Sequence, residues 1–83
     1  MYTQEECSII AAPYLREEDD IWENDEAYYF DDIRRKWDEN YGIVVYKESG
    51  EAVSLHEYFD RKKCRNVMEL FKDTKGTEGG WHG

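Results

Sequence analysis

Residues 24–42 read NDEAYYFDDIRRKWDENYG, and the folding of this stretch decides the architecture. Glu26, Phe30, Ile33, Trp37 and Tyr41 recur at spacings of three and four, as one face of a helix does. Asn24 is a good N-cap, and Asp25 and Glu26 fall in a first turn where the helix dipole favours anions. Gly42 follows as a C′ residue free to take positive φ and stop the helix. The spacing predicts a long central helix over about 25–41. Asp25, Asp32 and Glu39, seven apart, form an acidic stripe opposite Phe30 and Trp37.

Upstream, Thr3 and Glu6 have capping-box form, and Cys7, Ile10, Ala11 and Tyr14 make an apolar set. These predict a short N-terminal helix over about 4–12, ended by Pro13, whose ring disfavours helix in the residue before it. Downstream, Ile43-Val44-Val45-Tyr46-Lys47 has strand composition. A turn at Glu48-Ser49-Gly50-Glu51 leads to a return strand at Ala52 and Val53, which together predict a β-hairpin.

Ser54 and Glu57 repeat the capping-box pattern. Beyond them, Leu55, Tyr58 and Phe59 form one apolar patch and Cys64, Val67, Met68 and Phe71 another. Arg61-Lys62-Lys63 lies between the patches. A break near Lys62, giving two short C-terminal helices, is the expectation. Residues 74–83 hold four of the six glycines and predict a flexible tail after a single compact domain over 1–73. The fold class expected is α+β: short N-terminal helix, long central helix, β-hairpin and one or two C-terminal helices.

With 83 residues there is room for one domain and a small core. Aromatic residues make up 16% of the chain, which supplies burial enough to argue against disorder although 37% is charged. Phe30, Trp37, Phe59 and Phe71 are the expected core aromatics. No signal-peptide pattern opens the chain, and no apolar run approaches the roughly 20 residues a membrane span needs. A soluble, cytoplasmic protein without membrane contact is expected. Cys7 and Cys64 form no paired motif and are expected to be buried, reduced thiols.

The formal net charge is −9, and it is unevenly spread. Residues 1–42 carry 13 acidic and 4 basic side chains, whereas residues 43–83 carry 7 of each. Seven of the ten residues from Glu17 to Glu26 are acidic and none is basic, so the run has no local cation to neutralise it. Such a block usually forms an exposed connector. A field of this sign repels nucleic acid and attracts cationic proteins.

Few residues suggest chemistry. Reading from Asp19 or Asp20, no glycine falls at the sixth position of a calcium loop, and the cysteines and histidines lack zinc spacing. His56 sits near a helix N-terminus, where its charged form is disfavoured. Cys64 lies among cations but in phase with apolar neighbours. No glycine-rich phosphate cradle follows a strand. The expectation is a non-enzymatic protein with no cofactor and no metal.

The remaining reading is recognition of a basic, nucleic-acid-binding protein by phosphate mimicry. The residues expected to face that partner are Glu17, Glu18, Asp19, Asp20, Trp22, Glu23, Asp25, Glu26, Tyr28, Asp32 and Glu39. Trp22 and Tyr28 would serve as aromatic anchors, because Trp and Tyr dominate interface hot spots. Against this, Asp31 with Arg35 and Asp32 with Lys36 at i,i+4 spacing would neutralise part of the helical stripe. Size and charge of this kind also occur in phage anti-CRISPR and anti-restriction inhibitors, a likeness of composition alone. A phage origin would put the protein in the host cytoplasm. An immunity protein or antitoxin against a basic nuclease, or a scaffold without inhibitory action, fits the same composition.

Overall fold

The computed structural model describes residues 1–15, 18–32 and 42–74, the side chains of Glu18, Asp19 and Asp32 excepted. Within it, the decisive stretch is extended. β1 (Glu18–Glu23) and β2 (Ala27–Asp32) form an antiparallel hairpin where an acidic connector and the start of a long helix were expected. Ala27-Tyr28-Tyr29-Phe30 explains the outcome. In a strand, alternate side chains point to opposite faces. Ala27 and Tyr29 enter one core, while Tyr28 and Phe30 enter another. Aromatic residues fit that pleated, doubly covered surface well, and burial of both faces outweighs the helical spacing of Glu26 and Phe30. The rest of the expected helix, including Ile33, Trp37 and Tyr41, lies outside the described residues.

Gly42 is likewise no helix cap. It opens β3 (Gly42–Tyr46) opposite Asp31, and a Cβ there would overlap the Tyr29 ring and stand 2.9 Å from the Phe30 carbonyl oxygen. Gly42 therefore makes room for an aromatic ring. β3 turns into β4 (Ala52–Ser54) through Gly50, whose φ of +75° does need a glycine.

Among the described residues, the sheet has five strands in the order β4-β3-β2-β1-β5, with every neighbouring pair antiparallel. β5 (Lys72–Asp73), unforeseen in the sequence, pairs with the end of β1. Among the described residues, three helices cover the two faces. α1 (Gln4–Ala11) carries the Thr3–Glu6 capping box, with reciprocal bonds of 2.9 and 3.2 Å. It packs Cys7 and Ala11 onto Phe30 and Val45. A 3-10 turn, Ala12–Tyr14, continues it through Pro13, and Tyr14 stands 58% exposed instead of facing inward.

α2 (Leu55–Lys62) is capped by Ser54 and ends at Lys63 in the left-handed conformation, φ 55°. A second short helix, α3 (Val67–Leu70), follows with Asn66 as its cap. On this face Tyr29, Val44, Leu55, Tyr58 and Phe71 form the larger core. Tyr29 and Tyr58 are its largest fully buried side chains, while Phe59 is only partly buried. Phe30 and Phe71 are buried as expected, and Trp37 lies outside the described residues. The domain is thus a small α+β fold with a helix-covered antiparallel sheet at its centre.

Candidate functional site

The β1–β2 turn, Asn24–Glu26, is where the acidic run meets the rest of the protein. Asn24 builds the turn itself: its Oδ1 accepts from the backbone N–H groups of Glu26 at 2.9 Å and Ala27 at 2.8 Å. Asparagine is suited to this because its side chain mimics a backbone turn. Its Nδ2 donates to the Tyr58 hydroxyl and to the Leu70 carbonyl oxygen, both at 2.9 Å. The Tyr58 hydroxyl then donates to Glu26 Oε2 at 2.6 Å, and Lys62 Nζ reaches the same oxygen at 2.8 Å. One asparagine and one tyrosine thereby fasten the turn to both α2 and α3.

The electrostatics follow from that geometry. The Lys62 ammonium and then the Tyr58 hydroxyl hold the Glu26 carboxyl below the usual carboxylate range. The same carboxylate raises Lys62. Burial, reinforced by Glu26, pushes the Tyr58 phenol well above its ordinary value. Each group is thus kept in the form the network needs at neutral pH.

The expected partner-facing residues do not make one surface. Glu23 pairs with Lys47 at 2.8 Å, and Glu26 pairs with Lys62. Glu23 and Glu26 in the far half of the run are therefore neutralised internally, by cations distant in sequence, contrary to the expectation of an uncompensated block. Asp25 is exposed at the turn, and Asp20 is half-buried in β1. Glu18, Asp19 and Asp32 are placed as strand residues only, and Glu17 and Glu39 lie outside the described residues. Because Asp25 is in a turn and Asp32 in β2, the helical stripe they were to share with Glu39 does not form.

Neither expected anchor stands free. Trp22 packs partly buried against the larger core, its ring 6.5 Å from Tyr29. Tyr28 lies on the α1 side beneath Lys47, whose Nζ is 4.7 Å from the ring centre. The exposed large apolar groups among the described residues are elsewhere: Met1, Tyr2, Ile9 and Tyr14 in and around α1, and Met68 on α3, which is 78% exposed.

Two open clefts flank the turn. One, of about 520 Å³, runs between Glu23, Asn24 and Asp25 and the α3 residues Met68, Glu69 and Leu70. The other, of about 540 Å³, is lined by Asp25, Glu26, Tyr46, Glu48, Glu51 and Arg61. Lys47 and Lys72 also line the first cleft, and Lys47 the second, where it is paired with Glu23. Arg61 bridges Glu51 at 3.2 Å and Glu57 at 2.8 Å, and Arg65 meets Asp60 at 2.9 Å. Carboxylates in excess of available cations can bind a cationic side chain, and give little purchase to a phosphate.

His56 is half-buried with Nε2 3.7 Å from Asp60, and no group of three metal-ligating side chains occurs among the described residues. Cys7 is a buried free thiol raised chiefly by burial, then by Glu6. Cys64 is a free thiol only partly buried, contrary to expectation, with Sγ 3.6 Å from Glu69 Oε1. Among the described residues, no helix is long and apolar enough to cross a membrane.

Sequence reading missed Asn24 as the organiser of the turn, along with Tyr58 as its clamp. Asn24-Asp25 between two aromatic strands was the available signal. For Tyr58 there was none, since its partners come from distant segments.

These features define an acidic, sheet-centred α+β domain with a clamped hairpin turn. Compared with known proteins, the chain matches no family model, no curated protein and no solved structure.

Proposed function

We propose that the protein is a non-enzymatic inhibitor that binds a basic, nucleic-acid-binding protein and occupies its nucleic-acid surface with carboxylates in place of phosphates. One observation carries this reading. Lys47, Arg61, Lys62 and Arg65 are each ion-paired with carboxylates of the same chain, so these cations are spent internally while the net charge stays at −9. A field of that sign accelerates encounter with cationic proteins and repels nucleic acid. The anti-CRISPR and anti-restriction inhibitors of phages act on partners of this chemistry, and a basic nuclease toxin offers the same surface.

Because Glu23 and Glu26 serve the fold, the partner-facing part of the run is shortened to Glu17–Asp20 together with Asp25. Replacing Glu17, Glu18, Asp19 and Asp20 by serine tests this. Affinity for a captured basic partner is expected to fall steeply, with loss of salt dependence, while the melting temperature stays nearly unchanged. Unaltered affinity in that variant rejects the reading.

A further inference from the structure

α1 carries two adjacent isoleucines, and the fold buries only one of them. Ile10 packs partly buried on the smaller core beside Cys7 and Ala11. Ile9 belongs to neither core among the described residues and stands 69% exposed. Cys7 and Ala11 point to the sheet, so at 3.6 residues per turn Ile9, two positions from each, points away from it. Glu5 and Glu6 lie one turn before Ile9 on that outward face, and Ala12 and Pro13 one turn after it. All four are exposed.

The outward face of a surface helix is ordinarily polar. A single exposed isoleucine on it needs no explanation, but one continued by Ala12 and Pro13 and headed by two acids makes a face with its own order. Ile9, Ala12 and Pro13 have the i, i+3, i+4 spacing by which a helix anchors in an apolar groove. Charge decides whose groove it is. Residues 1–15 include neither lysine nor arginine. A second copy of the chain would bring the same acids and a net charge of −9 against this face. A groove with an apolar floor and a rim of lysine or arginine meets both halves, its cations against the acidic turn and its floor against the apolar one.

We propose that the outward face of α1 docks into an apolar groove rimmed by lysine or arginine on the cationic partner, with Ile9 as its anchor. This rests on the cationic-partner reading and adds an apolar contact to it. Charge steers the encounter, and Ile9 supplies binding that salt does not weaken.

The test uses the full chain and two synthetic helical peptides of equal charge. One has leucine along one face and lysine on its flanks, and the other has the leucines replaced by serine. The leucine–lysine peptide is expected to bind about tenfold tighter than the serine–lysine one, with amide shift changes centred on Glu5–Ala12. Ile9→Ser should abolish that difference and leave the melting temperature nearly unchanged, because the side chain lies outside both cores. Equal, salt-sensitive binding of both peptides overturns docking by α1 and leaves the cationic-partner reading standing. A preference for the leucine peptide that survives Ile9→Ser does the same. Failure of both peptides to bind overturns the proposal and counts against that reading too. An uncharged leucine–serine peptide binding as tightly as the leucine–lysine one overturns the basic rim. A dimer of the free protein that Ile9→Ser abolishes gives the face to a second copy and overturns the proposal. Nuclear Overhauser contacts in the free protein from the Ile9 methyls to a segment distant in sequence overturn it as well, because the chain then covers the face itself.

Discussion

The Tyr58 hydroxyl donates to Glu26 Oε2 across 2.6 Å, joining the middle of α2 to the turn between β1 and β2. Its ring is buried, 5.1 Å from Phe71 and 5.9 Å from Tyr46. The hydroxyl oxygen in turn accepts from Asn24 Nδ2 at 2.9 Å. The hydroxyl therefore serves as donor and acceptor at once, and a part-buried carboxylate–phenol–amide chain ties helix to hairpin.

Tyr58→Phe keeps the ring and removes both bonds. Loss of stability of about 1.5–3 kcal/mol in urea unfolding is expected, the range for losing a hydrogen bond to a charged group. Asn24→Ala, which also strips the turn of its Oδ1 acceptor, should cost at least as much. A Tyr58→Phe protein as stable as the parent would show that the network contributes nothing to the fold.

The network also sets a pH dependence. The Glu26 carboxyl titrates lower when folded than its ordinary value of about 4.3. Its stabilisation is thus present above that value and fades as pH falls through the lower, folded one. Tyr58 and Lys62 are shifted upward, so their contributions hold at neutral pH and fade as pH rises above about 10. In chemical denaturation across pH, the stability gap between parent and Glu26→Gln should narrow below about pH 4. A gap independent of pH there would contradict the assignment.

Gly42→Ala places a methyl group where the Tyr29 ring lies. Overpacking of this kind costs about 1–3 kcal/mol, or a melting temperature lower by several degrees. A neutral substitution would mean that the Tyr29 ring packs elsewhere.

Trp22→Ala distinguishes packing from docking. A ring set against Tyr29 and the larger core should cost about 2 kcal/mol or more on truncation. Met68→Ala, at a mostly exposed position, should stay within about 0.5 kcal/mol. If Trp22→Ala is equally neutral, the indole is an exposed anchor after all.

Local signals along the chain were readable where short-range chemistry decides the structure. The Thr3–Glu6 box, the Gly50 turn and the helix break near Lys62 are such cases. Residues 27–32 were misread because Glu26 and Phe30 satisfy a helical spacing by coincidence, while strand faces are fixed by cores that form only in three dimensions. Tyr28 and Phe30 meet α1, whereas Tyr29 meets α2 and Phe71. The acidic site was misread for a related reason. Lys47 and Lys62 reach Glu23 and Glu26 only after the chain has folded back, so local counting of charges could not find them. The acidity itself was legible, because it is a property of composition.

The central claim is that the acids of this chain stand in for phosphate on a cationic partner. The most direct measurement is displacement: the captured basic partner is loaded with a fluorescent duplex, the protein is added, and anisotropy is followed at two salt concentrations. The account predicts that the duplex is released stoichiometrically at the lower salt, and that the protein's own affinity for the partner weakens at the higher salt. A stable ternary complex, with duplex and protein bound together, would contradict it.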